Sequence, residues 1–250
     1  MYEIFAGVLQ GITEFLPVSS SGHLVILSSI NDSLNLNTYD IAFLHVGTLL
    51  SIIIFYRNRI INIFSSFEIF ISSTKILGVA LIPAVVVGLF SPLQDIIDSN
   101  QNILQITGIA YLFLSFILLL SPKLKIERNL SFHQITIKQS FIIGIAQALA
   151  LVPGVSRSGV TLVTAMYLGI KKTEAIYFSL LLGIPTIFGA WLLTFIDSSF
   201  NVNINMIVPT IVAFLSGLVA IRILVNVTVN SKLQYFGYYC LVLSAFCFIN

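Results

Sequence analysis

The sequence predicts an all-α integral membrane protein with an inverted-topology repeat, about six full transmembrane helices and two re-entrant helical hairpins. Three observations carry this expectation. Only 9% of the 250 residues are charged and 57% are hydrophobic, with a mean hydropathy of +1.01. Soluble domains average about 25% charged residues, so this chain cannot cover a water-facing surface. Uncharged stretches of membrane-spanning length recur along it. Finally, two polar breaks interrupt shorter apolar runs, and the two breaks match each other.

Taken in order, residues 4–16 and 24–30 are apolar but short, and Pro17, three serines and Gly22 separate them. A spanning helix needs roughly 20 apolar residues, so the pair reads as a hairpin that enters and leaves on one side. The opening "MYEIFAG" lacks the basic start of a cleavable signal peptide. Full spans are expected at about 39–56, 72–91 and 102–121, before a polar loop at about 122–137. A second short pair, 141–152 and 160–170, is broken by "PGVSRSG". Spans follow at 174–196, 206–226 and 233–249. Cys240 and Cys247 lie seven apart on the last of these. Their Cα atoms would be about 10 Å apart on a regular helix, beyond disulfide reach, so both read as packing residues.

Sliding the sequence by 137 residues lays Gly7, Gln10, Val18, Ser19, Ser21 and Gly22 on Gly144, Gln147, Val155, Ser156, Ser158 and Gly159. The chain is therefore expected to be one membrane domain of two repeats, about 1–121 and 138–250, joined by the 122–137 loop. A hairpin plus three spans is an odd number of crossings, which turns the second repeat upside down. Such repeats put a site near the bilayer midplane where their broken helices meet.

Charge distribution tests this topology independently. With the amino terminus on one side, Arg57, Arg59, Lys75, Lys123, Lys125, Arg128, Lys138, Lys171, Lys172, Arg222 and Lys232 all fall on or near the other. Asp32, Asp40, Asp95, Asp98 and Asp197 fall with the terminus. By the positive-inside rule the basic side is cytoplasmic and both termini are external, in a multi-pass plasma-membrane protein. The net charge of +2 is too small to point to nucleic acid.

The remaining basic residue, Arg157, lies inside the second break, and an Arg in mid-membrane is functional by default. In both breaks serine and glycine precede an apolar run. Serine is a favoured N-cap, so each run is expected to start a helix whose free N–H groups form an anion site. Two such ends facing each other suit a ligand with more than one phosphate. Arg157 adds a planar donor fork, and Ser156, Ser158 and Thr161 add hydroxyl donors. Glu14 needs a reason to stand beside phosphates. It can hold a divalent cation, Mg²⁺ or Ca²⁺, with Gln10 one turn away on the same face, or it can serve as a general base. His23 can move a proton, or pair with Glu14 to tie the halves together. His45 lines the cavity or packs in the core, and His133 is expected to be solvated. The candidates are thus Glu14, Ser20, His23 and Arg157 for catalysis, and Gln10, Ser19, Ser21, Ser156, Ser158, Gly159 and Thr161 for substrate binding.

At "QGITEFLPVSSSGH" and "PGVSRSGVT" the chain resembles the undecaprenyl-diphosphate phosphatases of the bacitracin-resistance type. The resemblance extends over nearly the whole length. It implies hydrolysis of a long-chain polyprenyl diphosphate to monophosphate and phosphate, regenerating the lipid carrier for cell-wall or glycan assembly. The functional positions it implies are Gln10, Glu14, Ser20 and His23, then Ser156, Arg157, Ser158 and Thr161. Gln10 stands where the family commonly has Glu, which leaves Glu14 as the one carboxylate for an acid–base or metal role. The nucleophile stays open among Ser20, His23 and water. Expected partners are the lipid substrate and membrane lipids, with a homodimer left open. The rival is a polyprenyl-phosphate flippase or other secondary transporter, which shares inverted repeats and broken helices. A transporter needs no activated nucleophile, so Glu14, Ser20 and His23 favour hydrolysis.

Overall fold

The computed structural model describes residues 2–30, 36–92, 96, 100–121, 129–196 and 204–250. Asp32, Asp95, Asp98, Lys123, Lys125, Arg128 and Asp197, used in the charge argument, lie outside them, as do residues 122–128 of the joining loop. Among the described residues there are eleven α-helices, and the sole β feature is an isolated bridge between Leu130 and Ile170. They are α1 (Tyr2–Phe15), α2 (Ser20–Ile30), α3 (Thr38–Phe55), α4 (Arg57–Ile63), α5 (Phe67–Phe90), α6 (Ile103–Leu120), α7 (Ile137–Ala148), α8 (Arg157–Tyr167), α9 (Lys172–Ile196), α10 (Ile207–Val229) and α11 (Gln234–Ile249).

Five of these, α3, α5, α6, α9 and α10, are long and apolar enough to cross a bilayer. The sixth expected span, 233–249, is corrected to a shorter apolar helix. α11 starts at Gln234, one residue after the expected start and just past a turn through Ser231 at φ +55°, and has 16 residues. At 1.5 Å per residue that is about 24 Å, short of the roughly 30 Å hydrocarbon core.

Side-chain caps, rather than the first apolar residue, set several of the helix starts. Asn37 caps α3 by accepting from the Asp40 N–H, and Ser66 caps α5 by accepting from the Ile69 N–H, so that α5 starts at Phe67, five residues before the expected start. Ser156 accepts from the Gly159 N–H, and Ser19 accepts from the Gly22 N–H at 3.3 Å. Ser20, Ser21, Arg157 and Ser158 therefore sit in first helical turns, where the sequence reading had left them in the breaks.

The helices pack chiefly as α1 on α10, α7 on α5, α3 on α10 and α6 on α11. Glycines make the closest approaches. A Cβ at Gly7 would strike the Pro209 carbonyl, and one at Gly144 would strike the Ala80 carbonyl. The core gathers Phe15, Tyr111, Leu114, Leu118, Leu162 and Phe178, all fully buried around α6, α8 and α9. Outer faces carry exposed apolar side chains, such as Val85 and Leu89 on α5, Phe113 and Phe116 on α6, and Leu215 and Val219 on α10. A hydrocarbon solvent suits that surface.

At one end, helix ends from both halves are tied together. Arg59 pairs with Glu174 at 2.6 Å and lies 3.8 Å over the Tyr177 ring, and Lys172 donates to the Val229 carbonyl at 3.0 Å.

Candidate functional site

The breaks lie between α1 and α2 and between α7 and α8, and they lock into each other. Ser19 Oγ accepts from the Gly154 N–H at 3.1 Å, while Ser156 and Ser158 donate to the Leu16 carbonyl at 3.4 and 3.3 Å. Each break therefore satisfies polar groups that the other leaves open, as buried backbone requires. Ser19 holds the left-handed conformation at φ +61°, which a non-glycine residue adopts only when its surroundings demand it.

Glu14 stands at the centre. One carboxylate oxygen accepts from Gln10 Nε2 at 3.0 Å and Ser20 Oγ at 2.9 Å, and the other pairs with Arg157 Nη2. The side chains of Glu14 and Arg157 are 7% and 16% exposed. The two ions compensate each other where neither could stand alone. His45 Nε2 lies 3.6 Å from the same carboxylate, too far for a hydrogen bond. Its Nδ1 lies 2.8 Å from the Ile41 carbonyl and must donate to it, so Nε2 carries a proton only in the imidazolium form. Gly183 gives the guanidinium room, since a Cβ there would collide with it.

These groups face a cavity of about 320 Å³, lined by Glu14, Ser19, Ser20, Ser21, Ser156 and Arg157 with His45, Gln147 and Thr186. Its volume is at the low end of ligand pockets and suits a compact polar group. An apolar hollow of about 170 Å³, lined by Val46, Leu49, Ile187, Phe188 and Trp191, adjoins it in sequence at three points. His45 precedes Val46, Thr186 precedes Ile187, and Ala190 precedes Trp191 along α3 and α9.

Not every expected residue joins this cluster. His23 does not pair with Glu14 and is absent from the cavity wall. Its Nδ1 lies 2.7 Å from the Ser19 carbonyl and 3.0 Å from Tyr111 OH, and its Nε2 lies 2.8 Å from Tyr239 OH. Nδ1 therefore donates to the carbonyl and Nε2 accepts from Tyr239, which engages both nitrogens. Ser158 and Thr161 turn into the protein, where Ser158 bonds Ser156 at 3.0 Å and Thr161 bonds Ser179 at 2.6 Å. Gly159 packs against Pro17 and Leu114. His133 is exposed, as expected. Cys240 and Cys247 are buried free thiols.

The sequence reading passed over Gln147, Thr186, Tyr111 and Tyr239. Gln147 had one signal, its match to Gln10 under the 137-residue shift. The others lie in apolar spans whose polar atoms follow no pattern.

A family model described as bacitracin resistance protein BacA matches residues 3–246. The undecaprenyl-diphosphatase of Methanococcus vannielii is 38% identical over 252 residues, covering 98% of both chains. That of Thermosipho africanus is 36% identical over 253 residues and 99% of both chains, and that of Thermotoga petrophila 36% over 249 residues and 99% of both.

Proposed function

Because the chain belongs to the bacitracin resistance protein BacA family, we propose that it is a membrane diphosphatase that hydrolyses undecaprenyl diphosphate to the monophosphate and phosphate. One observation carries the chemistry: Ser20 donates to Glu14 at 2.9 Å while Glu14 pairs with Arg157, all three on one polar cavity. That is a nucleophile, its base and a phosphoryl-binding cation within reach of a single ligand.

The incoming diphosphate takes Arg157 from Glu14 and frees the carboxylate. Ser20 Oγ attacks the terminal phosphorus as its proton moves to Glu14, and the phosphoanhydride bond breaks. Glu14 passes the proton to the departing bridging oxygen, which leaves with the polyprenyl monophosphate. Water then attacks the phosphoserine, giving a proton to Glu14, which returns it to Ser20 as phosphate departs. Arg157 neutralises the phosphoryl oxygens in both steps. His23 holds the Ser19 carbonyl and so positions Ser20. The isoprenoid tail is directed to the apolar hollow between α3 and α9, whose Val46, Ile187 and Trp191 each follow a cavity residue in sequence.

The residues present do not fit a resident cation. Among the described residues Glu14 is the one carboxylate on the cavity, and both its oxygens are engaged. Among the described residues no group of three His, Cys, Asp or Glu side chains gathers anywhere. Mg²⁺ or Ca²⁺ is proposed only as a counter-ion carried in by the diphosphate, with Glu14 and Gln10 nearest to it, and no step depends on it.

The inverted repeat and re-entrant hairpins are part of the same reading. In their support, the matched glycines Gly7 and Gly144 each pack on a long helix of the other half, α10 and α5. The basic end is cytoplasmic, both termini are external, and the headgroup is taken from the outer leaflet. Phosphate release from undecaprenyl diphosphate by purified protein in detergent tests the activity, with and without Mg²⁺ or Ca²⁺. Lipid transfer across proteoliposomes without phosphate release would favour the transporter instead.

A further inference from the structure

The two halves match at their glutamines but diverge at the chemistry. Under the 137-residue shift Glu14 lies on Leu151 and Ser20 on Arg157. Gln10 and Gln147 are therefore the same residue in two different settings. Gln10 donates its amide to Glu14 at 3.0 Å. Gln147 has no carboxylate to receive its own, because Leu151 stands there. It is 2% exposed, its Nε2 has no hydrogen-bond partner, and its Oε1 meets Thr186 Oγ1 only at 3.5 Å. That hydroxyl already donates to the Leu182 carbonyl at 2.8 Å. Burying an amide donor without a partner is costly, and an apolar side chain of similar shape would avoid the cost. Gln147 nevertheless lines the same polar cavity as Arg157 and Ser20.

We infer that Gln147 is a substrate-binding residue whose side-chain amide donates to an oxygen of the bound diphosphate, opposite the Glu14–Ser20 pair. The inference rests on the diphosphatase reading and assigns each half a task. The first half supplies base and nucleophile; the second supplies the cation and an unengaged amide. The terminal torsion of a glutamine is soft, so the amide turns to an arriving oxygen at little cost. A hydrogen bond to a charged acceptor of this kind is worth about 10–100-fold in affinity.

The test pairs stability with binding, because a structural role and a ligand role predict opposite signs. Gln147→Met removes an orphaned donor, so its thermal midpoint in detergent should equal or exceed that of the unaltered protein. At the same time kcat/KM for undecaprenyl diphosphate should fall about 10–100-fold, and stabilisation by inorganic pyrophosphate should shrink. Gln147→Glu, which adds a charge, should weaken pyrophosphate binding further. A lowered midpoint with unchanged kcat/KM and an unchanged pyrophosphate shift would overturn the inference. So would a Glu variant that binds pyrophosphate normally. If the unaltered protein releases no phosphate from the lipid, the diphosphatase reading falls, while the pyrophosphate shift still reports on the amide by itself.

Discussion

At the scale of single residues, the proposed mechanism turns on an ion pair that the ligand has to open. Arg157→Ala leaves Glu14 buried without its cation, a loss of about 3–5 kcal/mol in stability, so its activity alone is ambiguous. Arg157→Lys keeps the charge and removes the fork. Turnover by the Lys variant, in protein whose thermal midpoint is near normal, should fall about 10²–10³-fold, the usual cost of one misplaced electrostatic donor. Full turnover would remove Arg157 from the transition state. Gly183→Ala tests the same group from behind. The added methyl meets the far end of the Arg157 side chain rather than backbone, so the fold should survive while phosphate release drops. Rapid-quench labelling with terminal-phosphate-labelled substrate should trap phosphoserine on Ser20 and none in Ser20→Ala. Label on His23, or no label at all, would replace Ser20 with His23 or water. Glu14, Ser20 and Arg157 were legible in the sequence because a charged or hydrogen-bonding group inside an apolar run is expensive and needs a reason. His45 was undecided for the opposite cause, since one histidine in a span fits a packed core equally well. Tyr239 gave no signal, because an aromatic ring in an apolar helix is ordinary packing until its hydroxyl finds His23.

At the scale of elements, the apolar runs revealed where helices lie but not where they begin. Five of the starts, those of α2, α3, α5, α7 and α8, precede the hydrophobic boundaries because a Ser, Thr or Asn cap stands before them, and α4 was missed because its seven residues, "RNRIINI", are mostly polar and too few to read as a span. The close crossings were equally hidden, since a sequence marks a glycine without naming its neighbour. Gly144→Ala should therefore destabilise the α5–α7 crossing by about 1–3 kcal/mol, read as a lower unfolding midpoint in detergent. The Ala80 carbonyl belongs to a helix backbone and cannot move aside. Gly78→Ala, on the same helix with nothing near its added methyl, is the matched control and should change little. Equal effects would mean that helix propensity, not the crossing, sets the cost.

At the scale of the whole molecule, the proposed orientation rests on the basic residues. In a Cys240→Ala, Cys247→Ala background, single cysteines at Gln101 and Asn129, both exposed, lie at opposite ends under the proposed topology. A membrane-impermeant maleimide applied to intact cells should label position 101 and spare position 129 until the membrane is opened. The reverse pattern would put the chemistry on the cytoplasmic leaflet. The seating of α1 against α10 also bears on how the chain is made. Gly7 leaves the ribosome about 200 residues before Pro209, the neighbour its surface is shaped to meet. At about 5–20 residues per second that is a wait of about 10–40 s. For that interval α1 sits in the membrane with the face meant for α10 turned to lipid or to the insertion machinery. Glu14 and Ser20, which start the chemistry in the proposed mechanism, are thus among the first residues to be synthesised and, with α10 arriving so late, among the last to be sealed in place.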